Sequence, residues 1–151
     1  SDAGRITGWS VYGGDFAEGT TRDVTPLIFK LGSDGRYRIT GVGQTQAIRP
    51  LEGQVFADFG LVSGSDSVGE GYFLGWKDGS VGSDNAGAIG FESGGAVARW
   101  LGDGQGAAGN VQVGLQFASA RNDSKSYAII AEVVRGAILE FDLGRFLDLV
   151  A

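Results

Sequence analysis

The chain has 151 residues, 28 of them glycine, and contains no cysteine, histidine or methionine. Without histidine and cysteine it has no Ser-His-Asp triad, no thiol nucleophile and none of the usual zinc ligand sets. Twelve basic against eighteen acidic residues give a net charge of −6 with the basic ones scattered, which excludes a nucleic-acid surface and adhesion to anionic lipid.

The length is that of one domain, 1–151, large enough for a hydrophobic core without staples. No apolar run reaches membrane-spanning length, so membrane insertion is not expected. The absence of cysteine is compatible with a reducing cytosol and with a bacterial surface alike. Because the sequence starts at Ser1 without a signal-peptide pattern, it is expected to be a segment of a longer parent chain that supplies neighbouring domains.

In chain order, strands are predicted over roughly 5–12, 25–31, 36–43, 53–61, 70–77, 87–92, 96–101, 111–118, 126–134 and 136–142. Trp9 lies in the first, where either face suits the core. Leu27, Phe29 and Leu31 share a face of the second, and Tyr37 and Ile39 lie on the third. From Gln54 to Leu61 the alternation places Val55, Ala57, Phe59 and Leu61 inward. Tyr72, Leu74 and Trp76 line the next strand. Val111, Val113, Leu115 and Phe117 repeat the alternation against Gln112, Gly114 and Gln116.

The run Tyr127 to Val134 is apolar on both faces apart from Glu132 and reads as a central strand, with Ala137 to Leu143 as a more solvated neighbour. Turn signals separate these runs: Ser33-Asp34-Gly35, Gly64-Ser65-Asp66, Asp78-Gly79-Ser80, Ser93-Gly94-Gly95, Asp103-Gly104 and Arg121-Asn122-Asp123-Ser124. The pattern predicts an all-β chain, an antiparallel β-sandwich of jelly-roll kind with about nine or ten strands. The tail, 143–151, is expected to dock on the core; its apolar residues would equally suit a partner domain or a second copy in a homo-oligomer.

The stretch Gly69 to Gly79 sets three aromatics among glycines and runs into an acidic turn. Small residues opposite Tyr72 and Trp76 allow a backbone or an aromatic ring to approach closely. Such aromatics commonly fill a core. Exposed, they would form a platform on which a sugar ring stacks while carboxylates and amides take its hydroxyls. The candidate ligand-binding residues are therefore Tyr72, Trp76, Asp78, Asn85 and Trp100. The glycine-rich loop from Gly102 to Asn110 follows the last of these and reads as a ligand cover or a plain surface connection.

Asp78, Ser80, Asp84 and Asn85 offer hard oxygen ligands, which nominates Ca²⁺ with Asp78 and Asp84 as ligands. An EF-hand is excluded, because the twelfth position from Asp78 is Ile89 rather than glutamate. Asp15, Glu18 and Asp23 form a second acidic group. Glu52, Glu70, Glu92, Glu132 and Glu140 would permit glycoside hydrolysis by a carboxylate pair, but their spacing nominates no pair, so no catalytic residue is assigned.

The succession Val24-Thr25-Pro26-Leu27-Ile28-Phe29, then Tyr37-Arg38-Ile39-Thr40-Gly41-Val42-Gly43, then Gly71-Tyr72-Phe73-Leu74-Gly75-Trp76-Lys77-Asp78 resembles noncatalytic jelly-roll domains of secreted or surface proteins of bacteria. The resemblance covers about residues 24–134 and brings no ligand residues with it. It implies a secreted or cell-surface accessory domain that binds a glycan or polysaccharide. The alternative expectation is a structural or assembly domain of a larger surface protein or homo-oligomer.

Overall fold

The computed structural model describes residues 3–79, 87–99, 111–117 and 121–135. Among them lie twelve strands: β1 (Gly4–Tyr12), β2 (Arg22–Leu31), β3 (Tyr37–Val42), β4 (Gln46–Ile48), β5 (Gly53–Phe56), β6 (Ser63–Gly64), β7 (Ser67–Val68), β8 (Tyr72–Asp78), β9 (Phe91–Arg99), β10 (Gln116–Phe117), β11 (Arg121–Tyr127) and β12 (Ile129–Arg135). All pairings are antiparallel and the described residues contain no helix, as the alternation predicts.

The strands form three sheets. In the first, β1 is flanked by β12 on one side and by β5 and β7 on the other. In the second, β2 takes β8 along one edge and β3 then β4 along the other, while β10 and β6 extend β3. The third is a two-stranded ribbon of β9 and β11.

One core joins the first two sheets. Trp9 and Val11 alternate inward on β1, and a bulge between Ile6 and Gly8 turns Ile6 to the same side. Val24 and Ile28 of β2, Ile48 of β4, and Phe59, Ala88 and Ile89 complete the cluster. Trp9 is fully buried, which settles the face that its strand turns inward, and its indole lies 4.6 Å from the Phe56 ring. Phe59 is seated there by its amide, which donates to the Thr7 carbonyl at 2.9 Å, beside the bulge. A second, smaller cluster of Leu27, Ile39 and Val42 takes Phe29, Val111 and Leu115 as partly buried neighbours.

The structure departs from the sequence reading in several places. Strand β5 stops at Phe56 and is turned the other way: Gln54 is buried and Val55 is 71% exposed. Gln54 is satisfied because its side chain accepts the Arg49 amide (2.8 Å) and donates to the carbonyls of Arg49 (3.2 Å) and Glu52 (2.9 Å). Within β5 this places Val55 outside, whereas Phe59, beyond the end of the strand, is buried as expected.

The segment 111–117 is strand only at Gln116 and Phe117, since Gly114 adopts φ +91 in a turn that also exposes Val113. In place of the expected strands 87–92 and 96–101 the described residues form one strand, Phe91–Arg99, with residues 100 and 101 outside the described ones. There Gly94 (φ +102) and Gly95 (φ +88) make a bulge rather than the expected turn. Likewise Arg121 to Ser124, read as a turn, is the start of β11; the run 126–134 is divided at Ala128.

The short edge strands β4, β6 and β7 carry no alternating signature in the sequence. Strand β12 takes one partner among the described residues, β1. The expected strand 136–142, the tail 143–151 and the turn at Asp103-Gly104 lie outside the described residues.

Candidate functional site

Where β1 ends, four separated parts of the chain are knit together by backbone hydrogen bonds. The Tyr12 amide donates to the Ala128 carbonyl (2.9 Å), Ala128 N–H to Gly90 (2.8 Å), and Gly90 N–H back to Tyr12 (2.9 Å). Gly13 N–H donates to Glu52 (3.0 Å) and Gly14 N–H to Ala88 (2.8 Å). A Cβ at Gly13 would run into the Arg49 carbonyl and one at Gly14 into the Gly87 carbonyl, so neither position has room for a side chain.

Above this junction, at the root of the ribbon, opens a cleft of about 680 Å³, within the roughly 300–1,000 Å³ span of small-molecule sites. Tyr12, Leu51, Phe91 and Tyr127 line it together with the acidic residues Asp15 and Glu92, and among the described residues the lining includes no lysine or arginine. Tyr12 is 46% exposed and Phe91 51%. The Phe91 ring lies 5.6 Å from Tyr127, and Lys125 Nζ stands 4.3 Å over Phe91.

Three of the ligand-binding residues expected from the sequence, Tyr72, Trp76 and Asp78, are described, and none of them lines the cleft. Tyr72, Leu74 and Trp76 occupy one face of β8, opposite Lys30, Ile28 and Pro26 of β2, and are half-buried against the main core. The Trp76 indole meets the Tyr127 ring edge-on at 4.9 Å and so backs a wall of the cleft. Tyr72 lies away from that contact, with Lys30 Nζ 5.2 Å from its ring.

Asp78, at the end of β8, accepts the Ala88 amide on Oδ2 at 2.8 Å and thereby fixes the segment of Gly87 and Ile89 that lines the cleft. The opposite face of β8 carries Gly75, over which the Phe29 ring lies, the close aromatic approach that the glycines imply. Asp84, Asn85, Trp100 and the loop Gly102 to Asn110 lie outside the described residues.

Of the second acidic group, Asp15 reaches the cleft, while Asp23 belongs to β2 and Glu18 to an exposed turn. Among the described residues no three acidic, histidine or cysteine side chains gather as a metal site. Glu52 ion-pairs with Arg49 (2.6 Å) beneath the cleft, and that hydrogen bond pushes the guanidinium pKa upward.

Sequence reasoning missed Tyr12, Leu51, Phe91 and Tyr127. The Gly13-Gly14 pair directly after an alternating strand was the one local sign that backbones meet there. The arrangement can hold a ring by its C–H face and accept hydrogen bonds from hydroxyl groups on the carboxylates. No family model, curated protein or solved structure matches the chain.

Proposed function

We propose that this chain is a noncatalytic binding domain that takes a glycan in the cleft at the root of the ribbon, as an accessory or cell-surface module of a longer parent protein. Its two facing sheets are read as a β-sandwich of jelly-roll kind. The observation that carries the reading is that exposed Tyr12 and Phe91 and the acidic residues Asp15 and Glu92 line one cleft. Trp76 and Asp78 serve the site from behind, by backing Tyr127 and fixing Ala88. Calcium bridging Asp78 and Asp84 is the accompanying proposal; chelation by EDTA should then lower the melting temperature.

The test is a glycan array followed by titration of each hit against Phe91→Ala and Tyr12→Ala. Loss of binding on about 1–3 kcal/mol is expected for each truncated ring in a protein that still melts cooperatively. Retained binding by both variants would place the ligand elsewhere.

A second reading, an assembly domain, is favoured by the outer face of the first sheet. There Val55 and Ile130 flank Ser10 in register and are both strongly exposed. Val55→Asp combined with Ile130→Asp, compared with the parent chain by light scattering, tests it: a mass that does not change between the two removes the assembly reading.

A further inference from the structure

Leu51 is, among the described residues, the one non-glycine with positive φ (+51°). It occupies the turn Arg49-Pro50-Leu51-Glu52 between β4 and β5, where Pro50 suits the position before it and φ above zero calls for glycine or asparagine. The backbone there is held from several directions. Leu51 N–H reaches the carbonyls of Gly13 and Gly14 at 3.3 Å each, Gln54 bonds to Arg49 and Glu52, and Arg49 and Glu52 are ion-paired. The fold therefore imposes the left-handed conformation, whatever side chain is present.

Eight glycines fill the other positive-φ positions among the described residues. At 51 the chain instead has a leucine, a γ-branched side chain that is strained in that region. Nothing in the interior rewards it: Leu51 belongs to neither apolar cluster and is 58% exposed. Leu51 is one of the residues that line the cleft, as are Tyr12 and Phe91.

We propose that Leu51 is a specificity-determining residue of the cleft, which selects sugars that carry a methyl-bearing substituent. The inference rests on the glycan reading above. A leucine cannot stack on a pyranose as an aromatic ring does; it offers a compact aliphatic contact. The matching group on a sugar is an isolated methyl, as on an N-acetyl arm or a 6-deoxy carbon. The acidic residues of the lining, Asp15 and Glu92, would accept from the hydroxyls and from an N-acetyl amide N–H.

The experiment compares the parent chain with Leu51→Gly and Leu51→Asn, both able to adopt the turn. The probes are an N-acetylglucosamine tetramer, a rhamnose oligosaccharide and an unsubstituted glucose tetramer, titrated calorimetrically. The parent is expected to prefer at least one methyl-bearing probe over the glucose tetramer by about tenfold or more. Both variants should lose that preference while their melting temperature holds or rises, as relief of strain requires. The two methyl-bearing probes separate an N-acetyl pocket from a 6-deoxy pocket.

Glycan binding with an unaltered preference in both variants overturns the role of Leu51 and leaves the glycan reading standing. A fall in melting temperature in both variants assigns Leu51 to the fold and overturns it too. Failure of the parent to bind any glycan, on these probes and on the array, overturns the glycan reading and this inference with it.

Discussion

Strands β11 and β12 are two stretches of one nearly continuous run, 121–135, and they obey the same antiparallel rule in different surroundings. Strand β12 lies on β1 and sends Ile129 and Ala131 into the packing around Trp9 and Val11. Strand β11 lies on β9, with a polar sequence and a partner whose residues Phe91 to Gly95 are all exposed. Beside the ladder, the contacts at its root are Trp76 on Tyr127, Tyr127 on Phe91 and Lys125 over Phe91. The contrast separates what interlocking side chains contribute from what a ladder alone provides, since a two-stranded hairpin by itself is marginal in water. The cleft sits on the seam between the two regimes.

The sharpest test of that contrast is a pair of truncations. Trp9→Ala empties the centre of the core and should cost about 3–5 kcal/mol in denaturant unfolding, whereas Phe91→Ala on the ribbon should cost under about 1 kcal/mol. Equal losses would show the ribbon to be as integral as the core. Next in size is Gly75→Val, whose side chain collides with the Phe29 ring; overpacking of this kind costs about 1–3 kcal/mol and should lower the melting temperature without disturbing the ribbon.

Asp78→Ala removes the acceptor of the Ala88 amide. We expect a loss of about 1 kcal/mol, with faster hydrogen exchange at Ala88 that does not spread to β1. In the parent chain, exchange should be quicker at β9 and β11 amides than at β1 and β2, in keeping with locally fewer buried contacts. Uniform protection would erase the distinction between the two regions.

The smallest effect belongs to the exposed β2–β3 turn. Arg38 hydrogen-bonds the Asp34 carboxylate with both terminal nitrogens (2.7 and 3.2 Å), and the Arg36 amide donates to it as well. Together they lower its pKa from 3.8 to about 2. The folded state thus binds this proton more weakly than the unfolded chain. Its contribution to stability is present above 3.8 and is lost as pH falls through about 2. Carboxyl chemical shifts followed through this window should give the low value, and Asp34→Asn should flatten the pH dependence of melting there.

The sequence discloses the architecture where polarity alternates without interference. It reads correctly the strands around Trp9, Leu27, Ile39 and Leu74, and the β2–β3 turn at Ser33-Asp34-Gly35. It misleads where a polar side chain or a glycine serves the backbone. Gln54 goes inside because it straps a turn, and Gly94-Gly95 bulges a strand instead of ending it.

At the site, Trp76 and Asp78 are visible from sequence as a distinctive cluster, yet the structure sets them one layer behind the lining. The lining itself comes from Tyr12, Leu51, Phe91 and Tyr127, which are distant along the chain. Only pairing of Gly90 with both Tyr12 and Ala128 brings most of them together, and such long-range register leaves no local trace.

The junction at Ala128 has a mechanical meaning. A pull along the ribbon passes through the backbone of β11 straight into β12, parallel to the strand and across hydrogen bonds that stand perpendicular to it. The ladder between β12 and β1 would therefore bear tension in shear, with its bonds sharing the load instead of opening one after another. A tether attached through the ribbon would load that ladder along its strands.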